Sequence, residues 1–338
     1  MNSAQVAALQ TLLSTPKKIA IIPHKNPDGD AIGSSLGLYH YLLHLGNHVQ
    51  VVSPNDYPKF LKWMPGSSEV LNWEKENSNC VQALKEADAI FTLDFNDLRR
   101  AGDMATLLET LPAPFVMIDH HREPTEYAQI MFSESAMSST SEMVYHIISA
   151  LGHEEALDKN IASCLYAGIV TDTGSFKFSA TTASTHQVAA KLIEKGASNN
   201  EIHTRIYDNN SADRLYLLST ALQNMKIFPE YRTSYMTLSE EELKKHNFKK
   251  GDTEGFVNYG LSIDGIDFTA IFIENGEEGL IKISLRSNGD FDVNTFARAN
   301  FQGGGHKNAA GGRMIGSLEE TATFFESLLE QYKSELAS

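Results

Sequence analysis

The stretch Ile19 to Ser35 reads IAIIPHKNPDGDAIGSS and carries His24, Asp28 and Asp30 within seven residues, directly after an apolar run. Asn-Pro-Asp-Gly is strong turn chemistry, so an ordinary turn is one reading. A metal site is the other. Three further segments share this build. FTLDFND ends an apolar run with Asp94, FVMIDHHREP ends another with Asp119, His120 and His121, and YAGIVTDTGSF sets Asp172 where an apolar helical stretch gives way to Thr-Asp-Thr-Gly. Singly, each acid could be a cap or a turn residue. Jointly, His24, Asp28, Asp30, Asp94, His120 and Asp172 put several carboxylates at element ends, where they would repel one another unless divalent cations neutralised them. Mixed imidazole and carboxylate donors suit Mn2+, Zn2+ or Fe2+ better than Ca2+, which prefers oxygen shells. This is more than one tetrahedral ion needs. A carboxylate bridging two ions roughly 3.5–4 Å apart accounts for the surplus, as in phosphoryl-transfer sites.

The elements that must position these groups follow from the hydrophobic pattern. Up to about residue 200, KIAII, HVQVVS, AIFTLDF, FVMIDH and QIMF read as strands. Helical patterns lie around Gly33–Leu45, Val81–Glu86, Arg99–Leu111, Ser141–Leu151, Lys159–Val170 and Thr185–Lys195. That alternation predicts an α/β fold, a doubly wound, mostly parallel sheet whose ligands gather beyond the carboxyl ends of the strands. Val6, Leu9, Leu12 and Leu13 suit a short amphipathic helix packed on the body. After a helical connector over 206–225 the texture changes to TSYMTLS, DFTAIFIEN and LIKISLRSN, joined by Gly/Asn/Asp turns, with helices over Glu240–His246, Asn294–Ala299 and Leu318–Lys333. The expected domains are therefore a catalytic domain over 1–205 and a smaller α+β domain over 226–338, with a cleft between them.

Composition narrows the function. The chain has 338 residues, 42% of them hydrophobic, and a formal charge of −15. No basic stripe is visible, which argues against long DNA or RNA as a partner but not against a small phosphorylated substrate. Two distant cysteines, Cys80 and Cys164, predict no disulfide framework and a cytoplasmic setting. No apolar run approaches the roughly 20 residues of a membrane span. The N-terminal residues lack the build of a signal peptide.

PHKNPDGDAIGS, LDFND, IDHH and TDTGSF resemble the successive motifs of the DHH phosphoesterase superfamily, and FARANFQGGGHKNAAGG resembles the glycine-rich signature of its associated C-terminal domain. The matches run in the family's order from Ile19 to Gly312. Size and layout are most similar to the bacterial nanoRNase/pAp phosphatase group. The resemblance implies two Mn2+ ions, with Mg2+ or another divalent ion as substitutes. One would be held by His24, Asp28 and Asp94, the other by Asp30, Asp94, His120 and Asp172. It implies that Asp119 supports His120, and that His121 faces the scissile phosphate. It also implies that Arg286, Ser287 and His306 bind substrate phosphate. Gly303, Gly304 and Gly305 would let backbone N–H groups form an anion nest ahead of His306 and a downstream helix. Arg286 offers a planar fork for phosphate. Of Arg99 and Arg100, Arg99 is the better candidate for reaching substrate.

The expected function is Mn2+-dependent hydrolysis of short RNA oligonucleotides and of 3′-phosphoadenosine 5′-phosphate (pAp), through water activated between two ions. Asp94, His120 and His121 form the catalytic core of that expectation. Cleavage of pApA or a cyclic dinucleotide is the nearest alternative, followed by polyphosphate or pyrophosphate hydrolysis and a nucleotide sensor without catalysis. Oligomeric state stays open, with a homodimer among the options.

Overall fold

The computed structural model describes residues 2–276 and 278–336, and the chain divides into two units, Met1–Asn209 and Asn210–Ser338. The N-terminal unit begins with α1 (Ser3–Leu12), β1 (Lys18–Pro23), α2 (Gly29–His44), β2 (His48–Ser53), β3 (Leu71–Asn72), α3 (Asn77–Lys85) and β4 (Ala89–Leu93). It continues through α4 (Ala105–Leu108), β5 (Phe115–Asp119), β6 (Ile130–Ser133), α5 (Thr140–Ala150), α6 (Lys159–Asp172), α7 (Ala183–Glu194) and α8 (Asn199–Tyr207). The strands lie in the order β3-β2-β1-β4-β5-β6, and every pairing is parallel. The order reverses between β1 and β4, which is where such sheets open a crevice at their carboxyl edge.

Both faces of the sheet are covered, which is why its strands read as unbroken apolar runs. On β1, Ile19 and Ile21 enter a core shared with α2, α5 and α6, while Ala20 and Ile22 enter a second core with Cys80, Leu84 and Met104. Against the first core, α2 and α6 approach closely along small residues. A Cβ on Gly33 would lie 2.6 Å from the Cys164 carbonyl oxygen, and one on Gly168 would lie 1.9 Å from Ser141 Oγ. Glycine at these positions lets the N-terminus of α2, the N-terminus of α5 and the C-terminus of α6 converge.

Some elements differ from the sequence pattern. The helix expected over Arg99–Leu111 is a 3-10 segment over Leu98–Met104, broken at Gly102 (φ 62, ψ −131), followed only by the single turn of α4. A side chain is strained in that conformation, so Gly102 is both the break and its cause. Helix α2 starts four residues before the expected Gly33, because Asp28 caps it.

The C-terminal unit comprises α9 (Ala212–Gln223), β7 (Lys226–Phe228), β8 (Thr233–Leu238), α10 (Glu240–Lys245), β9 (Phe268–Asn275) and β10 (Leu280–Ser287). Then come α11 (Val293–Asn300), β11 (Gly304–His306), β12 (Ala309–Met314), α12 (Leu318–Gln331) and α13 (Lys333–Leu336). Its sheet runs β11-β12-β10-β9-β8-β7, antiparallel except for the parallel β8–β9 pair. Phe268, Phe272, Phe296 and Phe325 form an aromatic core under α11 and α12. Leu217, Leu218 and Ala221 of α9 pack with Met236 and Ile271 on the other face. The segment read as a connector over 206–225 is therefore divided: its helix α9 is core structure of the C-terminal unit, because three of its apolar residues are buried there. The glycine-rich segment corrects a second expectation. No helix follows His306 directly; Gly304–His306 and Ala309–Met314 pair as a hairpin, and α12 begins only at Leu318.

Candidate functional site

The carboxyl ends of β1, β4 and β5 deliver three of the four loops that the sequence singles out, and α6 delivers the fourth. After β1, the loop to α2 is pinned on two sides. Lys25 N–H donates to the Arg100 carbonyl (2.7 Å), and Asn26 N–H donates to Asn55 Oδ1 (2.7 Å). Asp28 Oδ1 caps α2 by accepting from Asp30 N–H and Ala31 N–H, each at 3.0 Å, while its Oδ2 lies 3.8 Å from His24 Nε2. One oxygen of this side chain thus serves the turn while the other stays turned toward His24.

Asp94 sits at the centre. It follows β4 at φ 66, a left-handed conformation uncommon outside glycine but tolerated by Asp and Asn, and such backbone clusters at functional sites. Its Oδ2 lies 3.5 Å from His24 Nε2 and its Oδ1 lies 3.5 Å from His120 Nε2. One carboxylate therefore faces two groups of donors. In the first, His24, Asp28 and Asp94 bring their ligand atoms within 4.8 Å of one another; in the second, Asp30, His120 and Asp172 do the same. His120 Nε2 is 3.3 Å from Asp172 Oδ2 and 4.0 Å from Asp30 Oδ2.

The imidazoles are oriented by carbonyls, which can only accept. His24 Nδ1 donates to the Lys25 carbonyl (2.9 Å) and His120 Nδ1 donates to the Met137 carbonyl (3.1 Å). Both Nε2 lone pairs then point at the carboxylates, as metal-ligating histidines require. Asp119, expected to support His120, is hydrogen-bonded to the neighbouring His121. Its Oδ1 accepts from His121 Nδ1 at 2.7 Å, at the C-terminal end of β5.

Electrostatics show how crowded the acids are. Burial, and then the Asp94 and Asp172 charges, raise the Asp30 carboxyl well above the usual range. Burial is also the main cause that raises Asp172, to about 7, helped by Asp94 and Asp28 and opposed by His120. Burial would raise Asp94 too, but hydrogen bonds and attraction from His120, His24 and His121 hold it well below its ordinary value. Burial disfavours the charged forms of His24 and His120, and the neighbouring carboxylates outweigh it and raise both. Two carboxylates pushed up by burial and by neighbouring acids, together with two imidazoles aimed at them through Nε2, make a donor set that fits divalent cations.

Several contributors were not legible as site residues. Asp30 Oδ2 accepts from Thr140 N–H (2.6 Å) and its Oδ1 accepts from Ser141 N–H (2.9 Å), so the carboxylate plugs the N-terminus of α5. Thr140 Oγ1 donates to Asp94 Oδ1 at 3.0 Å. The buried Glu142 accepts from Ser138 and Thr185 and faces His146, which anchors that helix start. The spacing Ser139-x-x-Glu142 marks a helix start, but only half of a capping box forms, since the Glu142 carboxylate turns inward. Arg99 is 82% exposed and its guanidinium folds back onto Asp97. Arg100 is the arginine whose charge is felt at His24.

In the C-terminal unit, Arg286 and His306 both pair with Ala309, on β10 and β11 respectively, so one row of the sheet carries both. Ser287 is buried, and its hydroxyl donates to the Phe291 carbonyl (2.7 Å) and accepts from Asn308 Nδ2 (2.9 Å). That hydroxyl shapes the turn after β10. Gly305 N–H donates to Asn294 Oδ1 (3.1 Å), so this amide is committed within the unit and is not part of an anion nest. Gly303 and Gly305 also serve close backbone approach: a Cβ would lie 2.0 Å from the Gly311 carbonyl oxygen at the first and 2.5 Å from the Ala309 carbonyl oxygen at the second. No helix among the described residues is long and apolar enough to cross a membrane.

Residues 18–169 match the DHH family N-terminal domain, and residues 232–335 match the DHHA1 domain. The chain is 30% identical over 331 residues to a bifunctional oligoribonuclease and PAP phosphatase NrnA of Thermus thermophilus, covering 97% of this chain and 93% of that one. Among solved structures, an exopolyphosphatase-related protein from Bacteroides fragilis superposes with a TM-score of 0.96 at 40% identity, covering 100% of this chain and 98% of that one. RecJ from Thermus thermophilus, solved with Mn2+, shares the fold at a TM-score of 0.55 and 15% identity, covering 98% of this chain and 54% of RecJ. The chain belongs to the DHH family and is a hydrolase.

Proposed function

We propose that the protein hydrolyses phosphoesters of short oligoribonucleotides to mononucleotides, and removes phosphate from 3′-phosphoadenosine 5′-phosphate, with divalent cations, Mn2+ first among them. The observation that carries this reading is the Asp94 carboxylate, with one oxygen toward His24 and the other toward His120. His24, Asp28 and Asp94 would hold one ion, and Asp30, Asp94, His120 and Asp172 the other. When bound, the ions supply Lewis acidity and lower the pKa of water from 15.7 toward about 7.

The chain's own residues do the rest. The α5 N-terminus and Thr140 fix Asp30 and Asp94, so the donors need little reorganisation when substrate arrives. Asp119 holds His121 through Nδ1 and so fixes the direction of its Nε2. His121 Nε2 donates to a phosphoryl oxygen or hands a proton to the leaving oxygen. Arg286 and His306 clamp a substrate phosphate, and Ser287 acts indirectly by fixing the turn beside Arg286. The NrnA name of the Thermus thermophilus relative supports the substrate pair.

The test is a Mn2+-supplemented assay comparing pAp, RNA of two to about ten nucleotides, pApA, a cyclic dinucleotide and polyphosphate. Polyphosphate is included because the Bacteroides fragilis protein is described as exopolyphosphatase-related. Turnover of pAp and of RNA shorter than about five nucleotides, collapsing beyond that length, is the expected result. Preference for polyphosphate, or no turnover of either nucleotide substrate, would overturn the reading.

A further inference from the structure

The C-terminal sheet has a face on which cations gather. On β10, Ile281, Ile283 and Leu285 enter the aromatic core, so Lys282, Ser284 and Arg286 belong to the opposite face. On β12, Ala310 and Met314 pack on that same core, which places Ala309, Gly311 and Arg313 beside them on the opposite face. The register sets three rows there. Lys282 lies opposite Arg313, Ser284 is followed by Gly311 and Gly304, and Arg286 is followed by Ala309 and His306. Small residues form the floor between the outer row and the Arg286–His306 row.

Among the described residues, neither the Lys282 nor the Arg313 side chain makes a hydrogen bond, an ion pair or a ring contact, and both are exposed. Directly opposed like charges on neighbouring strands repel. Other cations of the same unit are paired with acids: Lys226 with Glu326, Arg232 with Asp267, Lys244 with Glu240 and Lys307 with Asp290. In a chain with 43 acidic and 28 basic residues, an acid was the commoner neighbour to place beside either one. Two opposed, exposed cations above a small-residue floor do not stabilise each other.

We infer that Lys282 and Arg313 bind the phosphate backbone of a single-stranded oligonucleotide at a point beyond the phosphate held by Arg286 and His306. Lys282 is four residues from Arg286, about 13 Å along a strand, which is too far to share one phosphate and far enough to serve another. The inference rests on the oligoribonuclease reading above and adds a length-sensing subsite to it.

The test compares the wild type with the double variant Lys282→Gln/Arg313→Gln, assayed with Mn2+ on pAp, a dinucleotide and a pentanucleotide over a salt series. The pentanucleotide KM should rise roughly tenfold, and its log–log salt slope should fall by about 1.4, two phosphate contacts at about 0.7 each on a single strand. Turnover of pAp and the dinucleotide should stay within twofold. Equal KM changes for all three substrates, or no change for the pentanucleotide, would overturn the inference. If the wild type cleaves no RNA, the parent reading has failed by itself, and binding of a fluorescein-labelled pentanucleotide over the same salt series decides. A slope difference between wild type and variant then sustains the subsite, and equal slopes remove it.

Discussion

The two units treat charge in opposite ways. At the carboxyl edge of the N-terminal sheet His24, Asp30, Asp94, His120 and His121 are buried, and several donors are held by a second contact: Asp28 by helix amides, Asp30 by the α5 N-terminus, His24 and His120 by carbonyls. On the β10–β12 face of the C-terminal unit, Lys282 and Arg313 stand exposed without such supports. Over-determined geometry suits chemistry, where a small misplacement is costly. Loosely held cations suit recognition of a flexible polyanion, where long-range attraction matters more than exact placement. The difference separates the place where bonds would be cut from the place where substrates would be told apart.

The largest expected effect comes from breaking the buried side. Asp94→Asn keeps the shape but removes the charge shared by His24 and His120, so kcat should fall on the order of 10³-fold or more, read as initial rates with saturating Mn2+. Retention of more than a tenth of the activity would contradict the role given to Asp94.

The chemistry-bearing groups could be read from the sequence because strand-end acids and histidines stand out against unbroken apolar runs. His24, Asp28, Asp30, Asp94, His120, His121 and Asp172 all lie together at one sheet edge. Their supports could not be read. Asp30 meets Thr140 from 110 residues away, and nothing in the local pattern of either segment names the other. The close approach of α2 and α6 depends on Gly33 and Gly168, which in a helical pattern look like weak positions. The hairpin β11–β12 is rich in Gly and Ala, so it lacks the apolar alternation that marks a strand, and a glycine run reads equally well as a nest.

A smaller loss should follow Asp119→Asn. If Asp119 serves His121, kcat falls about 10²-fold while Mn2+ affinity stays unchanged. A loss of Mn2+ affinity, measured by calorimetric titration, would return Asp119 to the His120 side.

Protonation gives a test that does not depend on turnover. Without metal, Asp30, Asp172, His24 and His120 all have folded pKa values above their ordinary ones. The folded state then binds more protons than the unfolded state. The stability these groups contribute is present at low pH and is lost as pH rises through the folded values, which for Asp172 means from 3.8 up to about 7. Asp94 works in the opposite sense, but below that window. The thermal midpoint of metal-stripped protein should fall by several degrees, roughly, between about pH 5 and about pH 8, and Mn2+ should flatten the trend. A metal-stripped midpoint that rises across the window would count against the crowded-acid account. The smallest effect belongs to Arg99→Ala, which should leave kcat/KM within about twofold, because that guanidinium is exposed and turned onto Asp97.

The most direct measurement is a Mn2+ titration of the metal-stripped wild type followed by electron paramagnetic resonance, with Asp94→Asn alongside. Two ions per chain with an exchange-coupled signal, lost in the variant, is the predicted result. A single uncoupled ion per wild-type chain, or coupling that survives in Asp94→Asn, would contradict the account.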